Sequence, residues 1–325
     1  MDSNAIFNIR TAEEFKRVAL DVFSFQYQKN KTYRTFCDLL NTNPEKVKTI
    51  RQIPFLPIGF FKSHKITVTL DHTDIIFTSS GTTGSSTSKH YVSDLSIYEQ
   101  SYLEAFEHFY GNIKDYAVLA LLPAYLERKG SSLIYMANDL IKQSENKHSG
   151  FYLNDLHSLK EKIDLLEKEN KKILLLGVSF ALLDLVENYQ LKLKNTLIME
   201  TGGMKGRRKE LIRTELHQIL SEGFGVPEIH SEYGMTELLS QAYSKGNGIF
   251  ECPPWMKIVT RDTDDPLTLQ EFGKTGGVNV IDLANINSCS FIATQDLGKV
   301  YPDGSFEIIG RFDNSDIRGC NLMVL

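Results

Sequence analysis

Between residues 117 and 220 the sequence alternates stretches that read as strand with stretches that read as helix, and this alternation limits the fold more than any other feature. Strand patterns fall at 117–122, 173–176 and 196–199, and helical ones at 131–141, 155–169, up to 187 and 207–220. A chain that runs strand, helix, strand is expected to lay its strands parallel, with helices over the sheet faces, which is an α/β architecture. The most apolar stretch, 173–186, falls short of the ~20 residues of a membrane span. It is broken at Gly177-Val-Ser179, which reads as a turn from strand to helix, so no membrane span is expected.

Upstream, Thr11 and Glu14 have the spacing of a capping box, and Phe15, Val18, Ala19, Val22 and Phe23 fall on one helical face. A second helical stretch covers 33–40, followed by extended runs at 66–70 and 75–77. Ser93-Asp-Leu-Ser96 reads as a helix start, with Tyr98, Tyr102, Ala105, Phe106 and Phe109 as its buried stripe. Beyond Glu251 the helical period gives way to strand-like pieces at 278–281, 290–293 and 306–309, with Asp303-Gly304 as a turn. The expected organisation is an α/β region over 1–250 and a β-rich subdomain over 251–325, ending in a tail that carries Cys320.

Residues 78–89 read Thr-Ser-Ser-Gly-Thr-Thr-Gly-Ser-Ser-Thr-Ser-Lys, directly after the strand-like Asp74-Ile-Ile-Phe77. Gly and Ser tracts are common linkers, but a linker is not normally entered from β-branched and aromatic residues. Successive N–H groups, small hydroxyls and glycines that let the main chain approach closely suit an anion, and a nucleotide is the expected visitor. The segment is not a kinase-type P-loop, because only two residues separate Gly81 from Gly84 and Lys89 stands further on.

What it resembles is the phosphate loop of the adenylate-forming enzymes, the superfamily of acyl-CoA synthetases, luciferases and peptide-synthetase adenylation domains. Glu232-Tyr-Gly-Met-Thr-Glu237 resembles that superfamily's Tyr-Gly-x-Thr-Glu motif, and Thr294-Gln-Asp-Leu-Gly298 and Gly310-Arg-Phe-Asp313 resemble its ribose-binding Asp and Gly-Arg-x-Asp blocks, in the same order. The resemblance implies the fold of the superfamily's N-terminal domain, with parallel sheets and flanking helices, and a nucleotide- and acyl-binding role for residues 1–250. It implies ATP and Mg²⁺, with Ser79, Ser80, Gly81, Thr82, Thr83 and Gly84 around the β- and γ-phosphates and Lys89 behind them. Thr236 would meet the α-phosphate and Glu237 would hold the metal. Glu232, Tyr233 and Gly234 would lie by the adenine, with Gly202 and Gly203 bordering the adenine and acyl sites, Asp296 on the ribose hydroxyls and Arg311 nearby. Pro123-Ala-Tyr125 and Gly177-Val-Ser-Phe180, at expected strand ends, are candidates for the acyl pocket. Each has a plainer alternative: Tyr233 as an ordinary half-buried aromatic, Thr236 as the N-cap of a helix over 237–241, Asp296 as a turn residue.

Departures from the general pattern narrow the resemblance. Ser85-Ser-Thr-Ser88 precedes Lys89 where a proline is common, and Gln295 stands where glycine is common. The superfamily continues past its Gly-Arg-x-Asp block into a domain whose lysine assists adenylation, whereas this sequence ends at Leu325, so that lysine is expected to be absent. The ending, with Cys320 between Gly319 and Asn321, and Leu122-Pro-Ala-Tyr125 with Ser131-Ser-Leu133, are similar to the LuxE-type acyl-protein synthetases. That resemblance implies activation of a fatty acid as acyl-AMP, a thioester on Cys320, and transfer to an acyl-CoA-reductase-like partner. On its own terms Cys320 is ambiguous, since a free cysteine is often a small buried hydrophobe, but Arg318 beside it favours thiolate, a natural acceptor from a mixed anhydride. An acid:CoA ligase similar to the phenylacetate-CoA ligases, or a nucleotide-binding scaffold without turnover, stays open as an alternative.

With Lys plus Arg at 36 against 41 Asp plus Glu, the net charge of −5 excludes the basic footprint of a nucleic-acid binder. Lys205-Gly-Arg-Arg-Lys209, the one compact basic cluster, reads as the solvated first turns of a helix running towards Glu222, with a docking or phosphate role as the alternative. The N-terminus lacks the basic and apolar regions of a secretory signal, so a cytoplasmic location is expected. The cysteines at 37, 252, 289 and 320 form no Cys-x-x-Cys pair, which argues against zinc and against a disulfide framework. The first three are read as structural.

Overall fold

The structure is a computed structural model that describes residues 4–69, 71–79, 87–122, 130–153, 155–202, 208 and 211–312. Its described residues build a twelve-stranded sheet and a separate two-stranded hairpin. Five strands run parallel in the spatial order Gly150–Phe151, Tyr116–Leu121, Lys172–Val178, Thr196–Thr201 and His230–Tyr233. Every residue of Tyr116–Leu121 is buried, as expected of a parallel strand covered on both faces. The sheet then continues antiparallel through Ala242–Ser244, Ile249–Glu251, Phe306–Arg311, Phe291–Val300, Thr275–Asp282 and Met256–Arg261, and the twelfth strand, Leu56–Pro57, pairs parallel with Phe291–Val300 off this path. Strand Ile249–Glu251 is therefore bonded to Ala242–Ser244 on one side and to Phe306–Arg311 on the other.

Most of the helices stand where the periodicity predicts. Helix Ala12–Lys29 carries the Thr11/Glu14 capping box and buries Phe15, Val18, Ala19, Val22 and Phe23, with Gln26 added at the same face. Helix Leu95–Tyr110 is capped by Asp94 and buries Tyr98, Tyr102, Ala105, Phe106 and Phe109. Helices Ser132–Gln143, Leu156–Lys168 and Ser179–Asn188 match the expected crossovers.

Four local expectations are corrected. Helix Ser179–Asn188 starts directly after strand Lys172–Val178, with no turn at 177–179. Gly177 is needed for packing, because a Cβ there would come within 2.6 Å of a Leu182 methyl. The helix expected at 207–220 is Arg213–Phe224, closed by Gly225 in the left-handed region. Arg208 lies outside it, its guanidinium clamped by Asp184 and Glu187 of the preceding helix, so the ion pairs hold it away from the expected first turn. Residues 66–69 form no strand; Val68 N–H is taken instead by the Asn287 carbonyl. Residues 237–241 form no helix, because the buried carboxylate of Asp282 captures the N–H groups of Leu239 and Ser240 at 2.8 and 2.9 Å.

Candidate active site

The Gly/Ser/Thr segment joins two strands that pair with each other. Strands Ile75–Thr78 and Lys89–Val92 pair antiparallel, and the two ends of the loop are fastened by Ser79 N–H to the Ser88 carbonyl (3.1 Å) and Ser88 N–H to Ser79 Oγ (2.9 Å). Residues Ser80 to Gly84 lie outside the described residues, and so do Gly203, Cys320 and the 123–125 stretch. Lys89 is exposed at the start of the returning strand.

That strand presents alternate residues inward. Ser88, His90 and Val92 are buried, and they bring the hairpin against the Thr236-Glu237 block. His90 Nδ1 lies 2.9 Å from the Thr236 carbonyl and its Nε2 2.8 Å from Ser288 Oγ. Burial pushes the His90 ring down to about 4, so it is neutral near pH 7 and bridges the two partners as donor to one and acceptor from the other. The Ser88 hydroxyl hydrogen-bonds Glu237, a carboxylate almost fully buried and pushed upward by that burial, with Arg311 and Lys62 as the nearby positive charges. The Glu237 carbonyl accepts from Asn285 Nδ2 at 2.7 Å.

One strand end away, three predicted residues meet. The Tyr233 hydroxyl donates to Asp296 at 2.7 Å and Arg311 Nε donates to the other carboxylate oxygen at 3.0 Å. Asp296 and Arg311 are cross-strand partners, and Asp296 is buried while the Arg311 side chain stays largely exposed. Tyr233 is therefore more than a half-buried aromatic, and Asp296 is not a turn residue but part of strand Phe291–Val300. A Cβ on Gly234 would fall 2.3 Å from Glu232 Oε1, so the Glu232 carboxyl would have to shift to admit one. Thr236 lies in a turn without a helix to cap.

On the other face of the same strand ends, Thr201 donates to Glu232, whose carboxyl burial pushes up to about 7. Ser179 donates to Glu200 and, at 2.7 Å, to the carbonyl of Gly202, which has φ 71°. Gly202 thus turns the chain where the parallel strands end, the usual crevice for ligands in such sheets. Among the described residues no cluster of three or more His, Cys, Asp or Glu side chains is arranged to hold a metal. His90, Asn285 and Asp282 were not singled out from the sequence. The alternation of Ser88, His90 and Val92 was the available signal for the first, and the other two have none.

These features define the fold of the adenylate-forming enzymes. The structure superimposes on that of 2-hydroxyisobutyryl-CoA ligase in complex with 2-HIB-AMP and CoA, with a TM-score of 0.69 and 10% identity over 94% of this chain and 72% of that one. It also matches ATP-bound MatB from Rhodopseudomonas palustris, with a TM-score of 0.55 and 19% identity over 75% of this chain and 50% of that one. The chain thus spans about half the length of the MatB structure. The family model for acyl-protein synthetase, LuxE, matches residues 8–105. Two relatives named long-chain-fatty-acid--luciferin-component ligase, from Aliivibrio fischeri and Vibrio harveyi, are each 24% identical, covering 94% of this chain and 86% of their own lengths. The chain has the fold of the adenylate-forming enzymes and resembles the LuxE-type acyl-protein synthetases. No helix among the described residues is long and apolar enough to cross a membrane.

Proposed function

We propose that the protein activates a carboxylic acid with ATP, forming acyl-AMP and pyrophosphate, and then passes the acyl group to the Cys320 thiol and on to an acyl-CoA-reductase-like partner. The observation that carries the first step is the meeting of the phosphate-loop base with Thr236-Glu237 through Ser88 and His90, beside the Tyr233–Asp296–Arg311 cluster. Joining two anions is the obstacle, and preorganised donors with a divalent cation lower it.

The residues suit a nucleotide with Mg²⁺. Glu237 is a buried carboxylate that burial destabilises in its charged form, and a cation would relieve it. Magnesium is commonly held by one or two carboxylates together with substrate phosphates, so the lack of a larger ligand cluster among the described residues is compatible with it. Buried Gln241 Oε1 has no donor among the described residues and its side chain flanks Gly234, an acceptor fit for an exocyclic amine. Asp296, oriented by Tyr233 and Arg311, would take the ribose hydroxyls, with Ser79 to Gly84 on the phosphates and Lys89 near them.

In the second step the Cys320 sulfur attacks the acyl carbonyl, the bond to AMP breaks, and the thiol proton goes to solvent. Burial pushes Cys37, Cys252 and Cys289 upward, leaving them as poor nucleophiles. The fatty-acid substrate rests on the names of the two relatives. Direct transfer to CoA is the second reading, favoured by the CoA-containing complex named above, whose fold covers nearly all of this chain.

Acid-dependent exchange of labelled pyrophosphate into ATP tests the reading. Glu237→Gln is expected to lose the exchange while keeping the wild-type melting temperature; exchange near wild type would remove the metal role. Cys320→Ser is expected to retain exchange but fail to accumulate a hydroxylamine-sensitive acyl-protein. Label on Cys37, Cys252 or Cys289 would end the Cys320 relay, and free acyl-CoA as product would establish the second reading.

A further inference from the structure

The strand that bears Asp296 is irregular where the carboxylate sits. Gly277 pairs with Leu297 and Asn279 with Ala293, so Thr294, Gln295 and Asp296 all stand opposite Val278 alone. A bulge of this kind leaves backbone groups without ladder partners, and buried ones must be bonded elsewhere. The Thr294 hydroxyl reaches the Val278 carbonyl at 2.8 Å and in turn accepts the Asp296 N–H at 3.1 Å.

The rest of the repair comes from Arg261, at the end of strand Met256–Arg261 and only 8% exposed. Its Nη1 donates to the Val278 carbonyl at 2.8 Å and to Asn279 Oδ1 at 2.7 Å, and its Nη2 donates to the Thr294 carbonyl at 2.6 Å. The guanidinium also lies 5.6 Å from the centre of the Phe312 ring, next to Arg311. Space has been made for it. A Cβ on Gly277 would come within 2.6 Å of the guanidinium carbon, and a Cβ on Gly276 within 2.3 Å of the Arg261 carbonyl oxygen. Burying an arginine is costly unless its donors are met, and here the donors are spent on both sides of one bulge. The Asp296 carboxylate is the negative charge that acts on the Arg261 guanidinium.

We propose that Arg261 is a positioning residue for nucleotide recognition: its planar fork pins the bulge from beneath, so that Asp296 is held ready for the ribose hydroxyls. This rests on the ribose role of Asp296 in the proposed function. A lysine could not replace it, since an ammonium is a point charge and cannot serve Val278, Asn279 and Thr294 in one plane.

Sugar discrimination is the readout, because a merely structural role would lower every activity alike. Pyrophosphate exchange and calorimetric binding are measured with ATP and with 2′-deoxy-ATP, for wild type, Arg261→Met, Arg261→Lys and Asn279→Ala, each checked for folding by its melting curve. Wild type is expected to prefer ATP. Arg261→Met is expected to lose about tenfold of that preference, the scale of one hydrogen bond to a charged group, through a higher KM for ATP and an unchanged KM for the acid. Arg261→Lys is expected not to rescue it, and Asn279→Ala to move it in the same direction by less. Asn279→Ala decides the matter if Arg261→Met does not fold. Retention of the wild-type preference in the folded variants overturns the role of Arg261 alone. A wild type that treats the two nucleotides alike removes the ribose role of Asp296, and the proposal with it.

Discussion

Glu232 and Glu237 close the two ends of one motif, and burial acts on both in the same direction. For Glu232 the shift runs from the ordinary 4.5 to about 7, set by burial against the opposing Thr201 hydrogen bond. The folded protein therefore keeps a proton that the unfolded chain has released, and stability falls as pH climbs through that window. Glu232→Gln keeps the volume and an acceptor for Thr201. It is expected to exceed wild type in stability by on the order of 2 kcal/mol at about pH 8 and by nothing at about pH 4. Urea unfolding across that range checks it, and a pH-independent difference would count against a proton held at this carboxyl. His90 acts in the opposite sense. Its lowered value means that the stability of its neutral bridge is present above the ordinary 6.5 and is lost as pH falls towards about 4.

Among the elements, helices Ser179–Asn188 and Arg213–Phe224 show how packing overrides propensity. Gly223 sits inside the second helix, where replacing it with alanine would by itself gain about 1 kcal/mol. An added Cβ would nevertheless lie 2.4 Å from the Cβ of Val186, an atom fixed close to the backbone of the facing helix. Overpacking of this kind costs about 1–3 kcal/mol, so Gly223→Ala is expected to lower the melting temperature; an increase would show that the helices separate freely. The start of the same helix falls later than periodicity predicts because Arg208, outside the helix, is held by Asp184 and Glu187 of an earlier segment, a pairing that periodicity does not register. The helix suggested by Glu237-Leu-Leu-Ser-Gln241 failed for a similar reason, since Asp282 lies far along the chain.

On the scale of the whole molecule, helix Ala12–Lys29 and the Asn30 that follows it buttress the candidate site. Buried Gln26 donates to the carbonyls of Asn285 and Ile286, both at 2.9 Å, and to Ser290 Oγ, and accepts from Ser290 N–H. Asn30 donates to the Ser288 carbonyl at 2.8 Å. The loop so held carries Asn285, which bonds the Glu237 carbonyl, and Ser288, which bonds His90. Gln26→Met would leave several buried groups unpaired, at about 1–3 kcal/mol each. It is expected to lower the melting temperature by several degrees and, below that temperature, to raise the KM for ATP in pyrophosphate exchange. An unchanged KM would confine Gln26 to stability.

The α/β class, the crossover helices and the buried stripes of Phe15 to Phe23 and Tyr98 to Phe109 were determined by the sequence alone, because hydrophobic periodicity is a local record of which face is covered. The motif blocks were legible as blocks, since each keeps its residues within a few neighbouring positions, and the fold brings Tyr233, Asp296 and Arg311 of three of them together. Tertiary structure decided what those blocks lean on. His90 against Thr236, Asn285 against Glu237 and Arg261 beneath the Asp296 bulge are pairings between distant segments. A buried polar side chain carries no period of its own, and its partner is chosen only when the sheet closes and every buried donor has to find an acceptor.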